Sequence, residues 1–61
     1  MDGIRIKELR EANNMSQWAF SKATGIERSR ISLIENGYVE LTDEQIATVN
    51  AVFNVTEAVQ E

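Results

Sequence analysis

The apolar positions of this chain fall at helical spacing almost from end to end. Ile6 and Leu9 stand three apart and Arg10 one position further on, so i, i+3 and i+4 trace one face of a helix over about Ile4 to Ala12. Asn13-Asn14 ends it, because asparagine tolerates turn conformations. A second helix is predicted over about Gln17 to Thr24. Ser16 is its N-cap, and Met15 just before it serves as a hydrophobic staple. Phe20, Ala23 and Thr24 fall to one side of this helix. Trp18 and Lys22 fall to the other, with Ser21 nearer the boundary. Gly25 then supplies a left-handed C-cap turn, and Ile26 plugs the angle that follows. A third helix runs from about Arg28 to Asn36 and stops at Gly37, a second C-cap glycine. Tyr38 to Leu41 reads as a loop. Thr42-Asp43-Glu44-Gln45 is a capping box that opens a fourth helix over about Asp43 to Phe53, with Ile46, Val49 and Phe53 on one face. Thr56 is placed to cap a last turn through Gln60. The β-branched residues follow the helical spacing rather than alternating, so strands are not expected. There is no proline, repeat, linker or low-complexity segment.

Composition narrows the chemistry. Sixty-one residues make one domain, 1–61, with a small core; a chain of this size buries only about 60% of its unfolded surface. The sequence has neither cysteine nor histidine. Disulfides, thiolate and imidazole metal sites and the commonest general base are therefore unavailable to it. No convergent pair of acids is evident, so neither an enzyme nor a cofactor is expected. The longest apolar runs span three residues, as in Ala51-Val52-Phe53, too short for a membrane helix. "MDGIRIKELR" has no signal-peptide core, and a soluble cytoplasmic protein is the expectation. The formal charge of −4 is unevenly spread. Residues 1–37 carry all six basic groups against five acids, whereas residues 38–61 carry five acids and no base. A polyanion could approach only the first two-thirds of the chain.

Two short helices hinged at Gly25 are a helix-turn-helix candidate, with a core at about residues 16–37. On the third helix, Ile31, Ile34 and Glu35 share one face. Ser29, Leu33 and Asn36 share the opposite face with Ser32 beside them, and Arg28 and Arg30 flank the N-terminal end. Small outward residues would allow close approach to base edges, and arginines reach guanine or phosphate. The N-terminus of the second helix offers free backbone N–H groups to a phosphate, with Gln17 there as a further donor. The pattern alone also fits an ordinary helical hairpin with a solvated face. Two misplaced charges bear on the choice. Glu35 lies on the apolar side of the third helix, and Arg10 on the apolar face of the first. Each needs a partner, so an Arg10–Glu35 ion pair is predicted between the two helices.

"LREANNMSQWAFSKATGIERSRISLIENG" resembles the phage-repressor and Cro-like helix-turn-helix family, also called the xenobiotic-response-element type. The matching positions are Arg10, Ser16-Gln17, Gly25, Ile26, Ile31, Ile34 and Glu35-Asn36-Gly37, at the family spacing, and the resemblance extends over roughly Ile6 to Val55. It implies an all-α, compact four- to five-helix lambda-repressor-like domain that binds operator DNA, usually as a homodimer on a two-fold symmetric site. Carried over by position, Gln17 would contact phosphate. Glu27, Arg28, Ser29 and Leu33 would read bases. Arg30 and Asn36 would contact phosphate or support the groove edge. Arg10 and Glu35 match the family's buried ion pair. Ser21 stands where the family usually has alanine, so its hydroxyl needs a partner. Thr24 replaces a usual apolar residue. Glu27 is the oddest departure: it suits the helix dipole, but near DNA it repels phosphate unless it accepts from a cytosine amino group.

The expected function is thus a sequence-specific, double-stranded DNA-binding regulator of phage or bacterial type, a repressor, reading the major groove with its third helix. The competing reading keeps the fold but makes it a protein-interaction module, such as an antagonist whose residues 38–61 bind a basic partner. Trp18 is expected to be partly buried under the loop after the first helix, the alternative being a contact to the DNA backbone or a partner. Tyr38 either packs on the fourth helix or turns its hydroxyl to phosphate.

Overall fold

A computed structural model of the chain describes residues 1–55 as four helices with no strand: α1 (Gly3–Ala12), α2 (Gln17–Thr24), α3 (Arg28–Glu35) and α4 (Asp43–Phe53). The expected last turn capped by Thr56 lies outside the described residues. Three of the four helix starts are set by a capping side chain. Asp2 caps α1 by accepting from the Arg5 amide, which starts the helix at Gly3, one residue earlier than periodicity alone places it. Ser16 caps α2 by accepting from Ala19. Thr42 and Gln45 form the reciprocal capping box of α4. Glu27 occupies the N-cap of α3 without making a side-chain cap bond. At the C-termini, Gly25 (φ 78°) and Gly37 (φ 80°) adopt the left-handed conformation that glycine enters without penalty. Asn36 has left the helical conformation and caps α3, which ends at Glu35.

The core joins all four helices. Ile6, Leu9, Phe20, Ile26, Ile31, Ile34 and Val49 form one buried cluster, with Met15, Val39, Leu41, Phe53 and Val55 packed around it. Ile46 is buried on the same face of α4 as Val49. Phe20 and Phe53 stack with ring centroids 5.2 Å apart, which fastens α4 to α2. Ile26, directly after the turn glycine, is 5% exposed and fills the angle between α2 and α3.

Two expectations for α2 need correction. Ala23 is exposed rather than buried with Phe20 and Thr24. The part-buried positions beside Phe20 and Thr24 are instead Gln17 and Ser21, because their side of the helix meets α3. Trp18 is 59% exposed, not tucked under the preceding loop. Met15, in that loop, packs against the core, and its carbonyl accepts from Arg10 Nη1 (3.0 Å). Tyr38 stands clear of α4 at 77% exposed.

Candidate nucleic-acid interface

The turn between α2 and α3 is fixed by three polar bonds inside an apolar angle. Ser21 Oγ donates to the Ile26 carbonyl, which supplies the partner its hydroxyl requires. Thr24 Oγ1 donates to the Phe20 carbonyl (2.8 Å) and accepts from the Ile26 amide (3.3 Å). The threonine therefore serves a position that usually takes an apolar side chain: its polar atoms are satisfied although the residue is buried.

A second lock sits at the other end of α3. Arg10 Nε and Nη2 donate to Glu35 Oε2 and Oε1 at 2.9 and 3.0 Å. Both side chains are largely buried, 14% and 6% exposed, so the predicted ion pair is present and bidentate. Burial by itself would raise the Glu35 pKa. Hydrogen bonds from Arg10 and Gln17 and the nearby positive charges of Arg10 and Lys7 outweigh it, and the net shift is downward. The hydrogen bond to Glu35 correspondingly raises the Arg10 pKa against the opposing effect of burial. The guanidinium thus ties together α1, α3 and, through Met15, the entry to α2.

With both ends of α3 fixed, its outward side is set. Glu27, Arg28, Ser29, Leu33 and Asn36 are exposed, while Arg30 and Ser32 are half-buried at the margin. Leu33 is 44% exposed, a large apolar side chain turned to solvent among small polar ones. The Arg30 Nε atom is buried without a hydrogen-bond partner. Asn36 Nδ2 donates back to the Ser32 carbonyl (2.8 Å), which holds its side chain along the helix. Gln17, at the first turn of α2, is half-buried and its Nε2 donates to Glu35 Oε1 (3.3 Å). A carboxamide carries two N–H groups, so one remains for a ligand. The local pattern of residue 17 gave no hint of this bond, because Glu35 is eighteen positions away.

Three acids of the last third lie outside α2 and α3. Glu40, Asp43 and Glu44 are exposed in the loop before α4 and its first turn. Among the described residues there is no group of three or more acids that could hold a metal ion, and no helix long and apolar enough to cross a membrane.

A helix-turn-helix family model matches residues 6–60 of the chain, nearly its whole length. The chain belongs to the helix-turn-helix family. Its fold is the all-α, lambda-repressor-like arrangement that the sequence resemblance implied. Among curated proteins, it is 36% identical over 56 residues to the antitoxin PezA of Streptococcus pneumoniae serotype 4. That alignment covers 92% of this chain but 35% of the relative, so the chain spans about a third of that protein's length. No solved structure matches the chain at significance. The family is one of DNA-binding regulators.

Proposed function

We propose that this chain is a single helix-turn-helix domain over residues 1–61 and a sequence-specific repressor of transcription that acts in the cytoplasm. It binds double-stranded operator DNA as a homodimer. The outward side of α3 enters the major groove, and α2 lies across its mouth with its N-terminus and Gln17 on phosphate. Arg28 contacts a base, Ser29 and Ser32 permit close approach, and Leu33 meets a thymine methyl. Arg30 and Asn36 hold the groove edge, and Glu27 keeps its carboxylate away from phosphate or accepts from a base amino group. The observation that carries the reading is the exposed Arg28, Ser29 and Leu33 on one side of a helix fixed at both ends.

Selection from a random duplex library tests it. The wild type is expected to enrich a two-fold symmetric motif, and binding to it should fall steeply with salt. The Arg28→Ala/Arg30→Ala variant should lose the preference. No enriched motif, or equal binding by the variant, refutes the proposal.

A second reading has its own support in the relative named an antitoxin and in the acidic residues 38–61. In it the chain binds a basic protein partner through that last third. The triple variant Glu40→Gln/Asp43→Asn/Glu44→Gln separates the two functions. It should keep the selected motif if only α3 and α2 touch DNA, and lose the partner if the acids bind it.

A further inference from the structure

The outward flank of α2 carries a feature that the reading of α3 does not use. Trp18, the chain's only tryptophan, is 59% exposed. Lys22, one turn later, places its Nζ 5.4 Å from the centre of the indole. An ammonium over an indole face is an attractive pair, yet it leaves most of a large apolar ring in water.

The position of this pair follows from the contacts of the helix. Successive residues turn by about 100°, so Trp18 and Lys22 share a stripe, as do Gln17 and Ser21, and Phe20 and Thr24. Phe20 and Thr24 face the core, and Phe20 stacks on α4. Gln17 and Ser21 face α3 and the turn before it, through Glu35 and the Ile26 carbonyl. Around the helix, the next stripe beyond the one that grips α3 is Trp18 and Lys22. The side of half-buried Ala19 and exposed Ala23 comes after it, toward α4. The indole therefore stands on the flank adjoining the outward side of α3, one residue from Gln17 in the first turn of α2.

We propose that Trp18 and Lys22 form a clamp for the sugar–phosphate backbone of a DNA duplex, extending the contact made by Gln17 along the same strand. The indole packs on a deoxyribose and the ammonium pairs with a phosphate. Charge favours this occupant. The basic groups of the chain all lie in residues 1–37, and α2 itself contains no acid. This inference rests on the DNA-binding reading above.

The test uses the duplex enriched by the wild type, with the single tryptophan as a built-in probe. On titration, indole emission should change in proportion to complex formation. Trp18→Ala should weaken binding about three- to tenfold, the size of one packed aromatic contact, and Trp18→Phe should recover part of it. Lys22→Gln should lower the slope of log affinity against log salt by about one. Thermal unfolding of the free variants, which should match the wild type, separates a lost contact from a lost fold. If the wild type selects a motif but its emission is unchanged and all variants bind alike, the clamp is refuted and the DNA reading stands. If Trp18→Ala instead shifts the sedimentation coefficient of the free protein and leaves DNA affinity intact, the indole belongs to contacts between copies, and the clamp is again refuted. If the wild type selects no motif, both fall together.

Discussion

Replacing Glu35 by alanine removes the carboxylate that accepts from Arg10 Nε and Nη2. The guanidinium keeps only the Met15 carbonyl as a partner, while its Nε and Nη2 lose bonds of 2.9 and 3.0 Å in a site where the arginine is 14% exposed. Breaking a buried pair from one side costs about 3–5 kcal/mol, chiefly because the remaining charge stays desolvated. The surviving bond and the residual exposure put Arg10 at the lower end, about 3 kcal/mol. Gln17 also loses its acceptor. A domain of this size has roughly 3–9 kcal/mol of stability in total, so the loss is a large share of it. Urea denaturation at neutral pH, with the slope held common to both proteins, is the assay. The Arg10→Met/Glu35→Leu double variant should be more stable than Glu35→Ala, since it leaves no unpaired charge. A loss below about 1 kcal/mol would show that the pair behaves as an exposed one and would refute this reasoning.

The same carboxylate gives a pH dependence of defined sign. Its folded pKa is depressed, so its contribution is fully present above the unfolded value of about 4.3 and is lost as pH falls through the folded value. Urea midpoints from neutral pH to pH 3 should therefore fall less steeply for Glu35→Gln than for the wild type; parallel curves would contradict the assignment. Gly3 stands where α1 touches α3: an added Cβ would lie 2.0 Å from the backbone oxygen of Ile34. Gly3→Ala should cost about 1–3 kcal/mol by forcing the helices apart. Gly25→Ala, with open space around it but φ at 78°, should cost about 1–2 kcal/mol from backbone strain alone. Differential scanning calorimetry distinguishes the outcomes, and an unchanged melting temperature for Gly3→Ala would mean that the close approach is absent. Thr24→Val keeps the shape but strips the Ile26 amide of its acceptor in a buried turn; thermal unfolding should report a loss of about 1–3 kcal/mol.

Much of this architecture was legible because its determinants are local. Ser16, Thr42-Gln45, Gly25 and Gly37 act within a few residues of where they stand, and the structure uses them as the sequence implied. Arg10 and Glu35 were legible for a different reason. Each interrupts an apolar face, and two such interruptions of opposite sign resolve each other. Asp2 shows the limit of periodicity: its cap adds Gly3 to α1, yet no apolar repeat reaches that far. Trp18 and Ala23 were misplaced because the helical wheel orders residues around α2 but does not say where α3 and α4 come to rest. Once Ser21 faces the turn and Phe20 faces Phe53, Ala23 is left outside. Met15, in the loop under which Trp18 was expected, is the side chain that packs against the core. The Gln17–Glu35 bond, the orphaned Nε of Arg30 and the approach of Gly3 to Ile34 depend on tertiary distances alone. On α3, by contrast, the division between buried Ile31 and Ile34 and exposed Ser29 and Leu33 could be read directly from spacing.

The most direct measurement is a nuclear magnetic resonance titration of isotope-labelled protein with the duplex enriched by selection. The expected result is that the largest amide shifts fall at residues 16–18 and 27–36, the first turn of α2 and the length of α3, with residues 38–55 little changed. An unperturbed spectrum, or shifts confined to residues 38–55, would contradict a groove-reading α3.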